Sequence, residues 1–355
     1  MAVPKFRNTS NTTFHQELKK RVNAYFTENK IEQTGNFSLY FKAILFWTLY
    51  VSLYVHLIFF TPPNWIAVLE CIMMGGLTAA IGFNVMHDGG HGSFSSNKFW
   101  NKIAAYSVNG LGASMLMWSN KHNIVHHTYT NIDGVDDDIE IKPLLRMCET
   151  QKKYAVHKFQ HIYVWFLYCL LLIMWVFATD YQKYFKQKVG IVPIKKLSAF
   201  DHFAFWTAKI GYYAMMIVLP IYMLGFLKWM IGFLAISMFA GFVLSIVFQL
   251  AHTVEDTAFP VPVDNTDIEN EWAIHQVQTT ANFATKNKVI CWLVGGLNFQ
   301  IEHHLFPKIS HIHYPAISKI IKKTCEEFDI KYIEFKRMRD AVFSHTMHLK
   351  KMGNA

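Results

Sequence analysis

An all-α integral membrane protein is the fold class this sequence predicts, with about four transmembrane helices in two hairpins, interfacial helices and a helical cap on the cytoplasmic side. Three observations predict it. Apolar runs of about 20 residues recur along the chain, as a hydrocarbon core requires of a crossing helix. Hydrophobic residues make up 52% and aromatic residues 16% of the 355 positions, more than an ordinary soluble chain carries. The histidines gather in short clusters at the ends of these runs rather than within them.

Residues 1–37 are polar and carry Lys5, Arg7, Lys19, Lys20 and Arg21. With no early apolar run and no small-residue cleavage site, a cleaved signal is not expected, and the first span must direct insertion. Residues 38 to 60 and 65 to 86 are each long enough to cross. The uncharged, proline-bearing Thr61-Pro62-Pro63-Asn64 joins them as a tight hairpin, so both polar flanks lie on one side. By the positive-inside rule that side is cytoplasmic. Residues 101 to 118 are apolar but short and interrupted by glycine, which fits an interfacial helix.

Three more apolar stretches follow, 162 to 178, 205 to 227 and 229 to 251. If the histidine clusters on either side of them share one site, an even number of crossings must separate the clusters. The stretch at 162 to 178 has Lys152, Lys153 and Lys158 before it and Lys183, Lys186 and Lys188 after it. Positive charge on both flanks predicts that it lies in the interface or dips in and returns. The other two stretches, separated by little more than Lys228, form the second hairpin. Residues 308 to 355 are basic and mixed, which predicts helices at the cytoplasmic surface, partly against anionic headgroups. The chain is thus expected to divide into a cytoplasmic N-terminal segment (1–37), a membrane unit (38–320) and a basic cytoplasmic C-terminal segment (321–355).

The net charge of +9 does not point to nucleic acid, because the Lys and Arg residues flank the apolar runs instead of forming a patch. Five scattered cysteines with no C-x-x-C pair imply neither a disulfide framework nor a thiolate metal site. His56 and Glu70 fall inside predicted spans and are expected to face the bundle interior and pair.

The chemistry lies in three clusters: His87-Asp88-Gly89-Gly90-His91, His122-Asn123-Ile124-Val125-His126-His127 and Gln300-Ile301-Glu302-His303-His304. Histidines four apart project from one helical face, so each of the first two clusters can aim two rings at one place. Gly89-Gly90 costs about 1 kcal/mol per glycine inside a helix, which invites a reason such as close approach of another backbone. The carboxylate spacing of an H-E-x-x-H zinc protease is missing. The acidic run Asp133, Asp136, Asp137, Asp138 and Glu140 reads first as a solvated loop; the alternative is that a carboxylate accepts the second N–H of a ligating ring. Tandem histidines in an apolar frame are costly unless ligated or hydrogen-bonded. His252 closes the last apolar run and arrives at the same depth as the clusters. His275 reads as structural or as a neighbour of the site.

Eight imidazoles exceed what one zinc takes. Imidazole also suits iron and copper, and the absence of nearby cysteine excludes iron–sulfur and blue-copper centres. Two irons held almost wholly by histidine is the simplest count.

The pattern H-x-x-x-H, H-x-x-x-H-H and Q-x-x-H-H, in this order and with these apolar intervals, resembles the membrane fatty acid desaturase family over residues 40 to 320. The glutamine heading the third cluster is similar to the front-end subgroup, which inserts a double bond between an existing one and the carboxyl end. The resemblance implies a non-haem diiron site with His87, His91, His122, His126, His127, His303 and His304 as ligands and His252 as a further one. Gln300 stands where other subgroups have histidine and is implied to act through water or to orient substrate. The implied reaction is O2-dependent insertion of a cis double bond into a CoA- or lipid-linked acyl chain, such as a linoleoyl group. No His-Pro-Gly-Gly haem motif occurs in the sequence, so electrons are expected from a separate cytochrome b5 or ferredoxin, steered by basic residues on the cytoplasmic face. Two other readings remain at this point: a diiron hydroxylase or related oxygenase, and a metal transporter using the histidines as a path.

Overall fold

The computed structural model describes residues 3–8, 12–263 and 267–355. Among them, four helices are long and apolar enough to cross a membrane: Phe37–Phe60, Asn64–His91, Ala199–Leu224 and Phe226–His252. Their outward faces leave Phe41, Ile44, Ile210, Val218 and Leu227 more than half exposed. Apolar surface of that extent on long helices needs hydrocarbon around it. The chain is an integral membrane protein.

The first turn forms at Thr61, in the left-handed region at φ 41°, followed by two prolines that cannot continue the helix. The second does not sit at Lys228 as the sequence suggested. It sits at Gly225, φ 81°, and Lys228 belongs to the fourth span. Glycine takes that backbone conformation without steric cost, a stronger break than one lysine in an apolar run.

The second and fourth spans pack along their length. Gly75 permits the contact, since a Cβ there would lie 2.6 Å from the carbonyl oxygen of Ile236. The second span continues past the expected end at residue 86, through a widened turn at Gly82–Met86, so that His87–His91 is its last helical turn. Gly89 and Gly90 show why the local cost is accepted. A Cβ on Gly89 would stand 2.4 Å from the amide nitrogen of Ala105, and one on Gly90 would stand 2.3 Å from the Trp118 ring. Close approach of another backbone is the reason at Gly89, and an aromatic ring is the reason at Gly90.

The stretch expected to lie at the interface over 101 to 118 forms two helices, Lys98–Gly110 and Met115–Ser119. Gly112 breaks them at φ 93°. The stretch around 162 to 178 is likewise divided, Ala155–Cys169 and Leu171–Lys186 meeting at 61°. A bend of that size fits a broken span as well as a segment which dips and returns. Beyond the spans, helix Phe14–Asn29 packs through Phe14, Leu18, Val22 and Phe26 against Ile317, Ile321 and Cys325 of helix Tyr314–Glu327. The short helix Gln300–Leu305 joins the same cluster through Ile301 and Leu305. Three two-residue strand pairings are the only sheet among the described residues.

His56 and Glu70 pair as expected, Nδ1 to Oε1 at 2.8 Å, but the His56 side chain is 46% exposed. Glu70, 13% exposed, is turned inward as expected, and His56 reaches it from the surface. Other charges are buried. Lys209 Nζ donates to Asp180 Oδ2 at 2.8 Å and to the carbonyls of Gly112 (2.8 Å) and Val176 (2.9 Å). Asp180 also accepts from the Ser114 amide at 2.8 Å and from Trp175 Nε1 at 3.1 Å. Both side chains are 1% exposed. Lys42 is buried as well, its ammonium 5.0 Å from the Trp292 ring centroid.

Candidate metal centre

The ends of the second and fourth spans converge with the segment Asn120–His126 and the helix Gln300–Leu305. Asn120–His126 is wound more widely than an α-helix, and His127 follows in a tighter turn. The change of winding turns three rings of one short segment toward a common centre. Gln300 opens the helix that carries His303 and His304 three and four positions on, so all three can share its face. It is buried with them.

All eight predicted histidines meet here. The ligand nitrogens of His87, His91, His122 and His303 lie within 4.8 Å of one another, as do those of His126, His252 and His304. His127 stands between the two sets, grouped with His303 and His304 and with its Nε2 3.2 Å from that of His122. His87 Nε2 lies 3.1 Å from the same atom. Two imidazole nitrogens bound at right angles to one ion at about 2.1 Å would stand about 3.0 Å apart, so this spacing suits a shared metal.

The unused hydrogen-bonding capacity points the same way. The Nε2 atoms of His91, His126, His252, His303 and His304 are buried without a partner, a costly arrangement for polar atoms unless they are ligands. On four of these rings the other nitrogen is held. His126 Nδ1–H donates to Asp136 Oδ2 at 3.1 Å, His304 Nδ1–H to Gln276 Oε1 at 2.8 Å, His303 Nδ1–H to the Tyr314 hydroxyl at 3.1 Å and His252 Nδ1–H to the Thr279 carbonyl at 3.3 Å. This assignment of tautomers leaves each Nε2 lone pair free and fixes the ring, the usual arrangement behind a metal-ligating imidazole.

Burial, reinforced by the neighbouring imidazoles, holds His122, His127, His303 and His304 well below the ordinary histidine pKa. They are neutral at pH 7, the state a ligand needs. His126 differs. Burial lowers it, but the charge and hydrogen bond of Asp136, with Asp138 beyond, outweigh burial and raise it.

Asp136 corrects the reading of the acidic run as solvated, since it is 1% exposed and takes the His126 proton. The outer residues of that run do form surface ion pairs, such as Asp133 and Glu140 with Lys142. Gln276 and Tyr314 were missed. Their partners lie 28 and 11 residues away, and neither residue belongs to a histidine cluster. His275, one position from Gln276, packs its ring 5.1 Å from Phe6 with both nitrogens unpartnered. Asp88, between two box histidines, accepts from Ser310 Oγ at 2.7 Å and from His311 Nδ1–H at 2.9 Å. Glu302 is buried, binds Asn282 and Tyr332 at 2.7 Å each, and is pushed up to about 7 by that burial.

Fold and site together define a membrane-embedded protein with a buried pocket of histidines grouped closely enough to hold metal. The family model for fatty acid desaturases matches residues 63–336, and the chain belongs to that family. It is similar to the sn-1 linoleoyl-lipid 6-desaturase of Arthrospira platensis, 37% identical over 96% of this chain and 92% of that protein. The sn-1 linoleoyl-lipid 6-desaturase of Synechocystis sp. is 34% identical over 100% and 99% of the two chains. The acyl-lipid (8-3)-desaturase of Physcomitrium patens is also 34% identical, over 99% of this chain and 74% of that one. The chain is a fatty acid desaturase, an enzyme of lipid metabolism, and the transporter reading falls.

Proposed function

We propose that this desaturase holds two iron ions on His87, His91, His122, His126, His127, His252, His303 and His304 and introduces a cis double bond on the carboxyl side of an existing one. The observation that carries the metal assignment is the set of buried, unpartnered Nε2 atoms whose rings are fixed from behind. With dioxygen and two external electrons, the bound diiron centre supplies the oxidising power toward unactivated methylenes that side chains lack.

The protein supplies position and protonation. Asp136, Gln276, Tyr314 and the Thr279 carbonyl keep a proton on Nδ1 of their rings. Trp118, stacked 4.6 Å from His122, walls the pocket against water. Gln300 orients the acyl chain or a water at the third box. The substrate is an unsaturated acyl group such as linoleoyl, in keeping with the names of the relatives.

The convergence of the second and fourth span ends supports a topology in which the bent segment 155–186 returns to the side it left. The basic flanks support a cytoplasmic location for that side and for the active site. The helices Phe14–Asn29 and Tyr314–Glu327 then form the cap. The division at residues 37 and 320 marks N-terminal segment, catalytic membrane unit and basic C-terminal segment. A separate cytochrome b5 or ferredoxin delivers electrons at the cap, where Lys319, Lys322 and Lys323 share the helix whose first residue, Tyr314, touches His303. Turnover driven by an acidic donor is expected to fall as salt rises. A flat salt response under donor-limited conditions would remove this docking face.

Expression in a host lacking polyunsaturated lipids, fed linoleate and related acids, tests the reaction. The expected product carries one new double bond between the existing ones and the carboxyl group, located by mass spectrometry. A hydroxylated product, or a double bond on the methyl side, would defeat the front-end assignment.

A further inference from the structure

A groove of about 780 Å³ opens between the first and third spans. Its size is within the range of about 300–1,000 Å³ typical of ligand sites. Tyr54, Phe59, Met215 and Leu219 line its deep half, and Tyr106 and Phe200 line its other end. From Phe200 to Leu219 it follows the third span for about 28 Å at 1.5 Å per residue. This nearly matches the ~30 Å hydrocarbon core, so the groove can hold one extended acyl chain along the membrane normal.

The two ends differ in charge. The Lys102 ammonium lies 4.8 Å from the Phe200 ring centroid and 5.8 Å from that of Tyr106, both of them walls of the groove. Lys195 and Lys196 are exposed just ahead of the third span. A phosphate headgroup at this end would meet cations at the membrane surface, while the chain below it meets mainly apolar and aromatic walls, with Asn109 and Thr207 among them.

This end is also the end nearest the histidines. Tyr106 packs in one cluster with Met115 and Trp118, and the Trp118 ring lies 4.6 Å from His122 and 5.8 Å from both His87 and His91. Front-end chemistry acts close to the carboxyl end of the chain. A lipid whose headgroup sits at Lys102 brings those carbons, and not its methyl end, level with the metal pocket.

We propose that this groove is the port through which an acyl chain of a membrane glycerophospholipid leaves the bilayer for the active site. The proposal rests on the desaturase reading above and adds to it the route.

Gly211 offers the test. It lines the groove, and a Cβ placed there meets nothing within 4 Å, so the side chain of Gly211→Trp leaves the backbone without a clash and enters the groove. Ile210→Trp adds the same bulk one residue away, on a face that is 64% exposed and outside the groove. Each variant is reconstituted in phosphatidylcholine nanodiscs containing a linoleoyl phosphatidylcholine with a photoactivatable acyl chain. Cross-link position, iron content and double-bond formation are read together.

The expected result is cross-linking to groove residues in the wild type. In Gly211→Trp this is lost and lipid turnover falls about tenfold or more, with iron content unchanged, while Ile210→Trp behaves as wild type. An active wild type whose turnover and cross-links survive Gly211→Trp would overturn the proposal. So would turnover of linoleoyl-CoA with none of the lipid. Groove-specific cross-linking in a wild type that forms no double bond from any substrate would support the groove as a lipid site and count against the desaturase reading instead.

Discussion

His252→Ala is expected to lower bound iron from two ions per chain toward one and to abolish desaturation. His252 belongs to the smaller of the two proposed ligand sets, with His126 and His304, so its loss leaves those two imidazoles and the intervening His127 there. The other set keeps His87, His91, His122 and His303. Asp136→Asn is the graded version of the same experiment. It keeps every ligand but takes the charge from behind His126, and outer-shell changes of this kind cost about 10–100-fold in metal affinity or activity. Iron per chain by metal analysis, with product formation on the same samples, checks both. Two full equivalents of iron in His252→Ala would remove it from the ligand set. Metal affinity unchanged in Asp136→Asn would reduce that hydrogen bond to a packing contact.

Lys209→Met is expected to have the largest effect on stability of any single change outside the metal pocket. The variant strands the Asp180 carboxylate, 1% exposed, with only the Ser114 amide and Trp175 indole for company. Breaking a buried ion pair in this one-sided way costs about 3–5 kcal/mol. Removing the charge from both partners, Lys209→Met with Asp180→Asn, is expected to recover part of the loss, because an amide can still accept one of the two remaining hydrogen bonds. Unfolding in detergent, followed by tryptophan fluorescence or heating, checks the order wild type, double variant, Lys209→Met. Iron occupancy should fall with it, since Ser114 caps the helix Met115–Ser119 that leads into His122. If the double variant is less stable than the single one, the stranded charge is not the cause.

The membrane spans were legible because a hydrocarbon core imposes a length that a sequence displays directly. The box histidines were legible because rings four apart on a helix need no tertiary information to share a face. What stayed hidden depends on contacts between distant segments. Nothing local to Lys209 marks it as the partner of Asp180, 29 residues away, and a lysine among apolar residues reads as an interruption. Asp136 stands in a run of acids whose outer members Asp133 and Glu140 pair with Lys142 at the surface, so composition argued for the surface while the fold turned Asp136 and Asp138 toward His126. Gln276 reaches His304 across a turn and short helices that periodicity does not register. The second hairpin was drawn at Lys228 because charge was given more weight than the backbone freedom of Gly225.

The Asp88 carboxylate carries a consequence for the order of assembly. It ties the end of the second span to Ser310 and His311, 222 and 223 residues further on, while His87 beside it shares a ligand set with His303. At about 5–20 residues per second of synthesis, that separation is about 11–44 s of translation. Until the end of that interval the histidines made earlier lack His303 and His304, and Asp88 lacks its partners. Neither ligand set can close until the last box has emerged, so metal loading is a late event in the life of the chain.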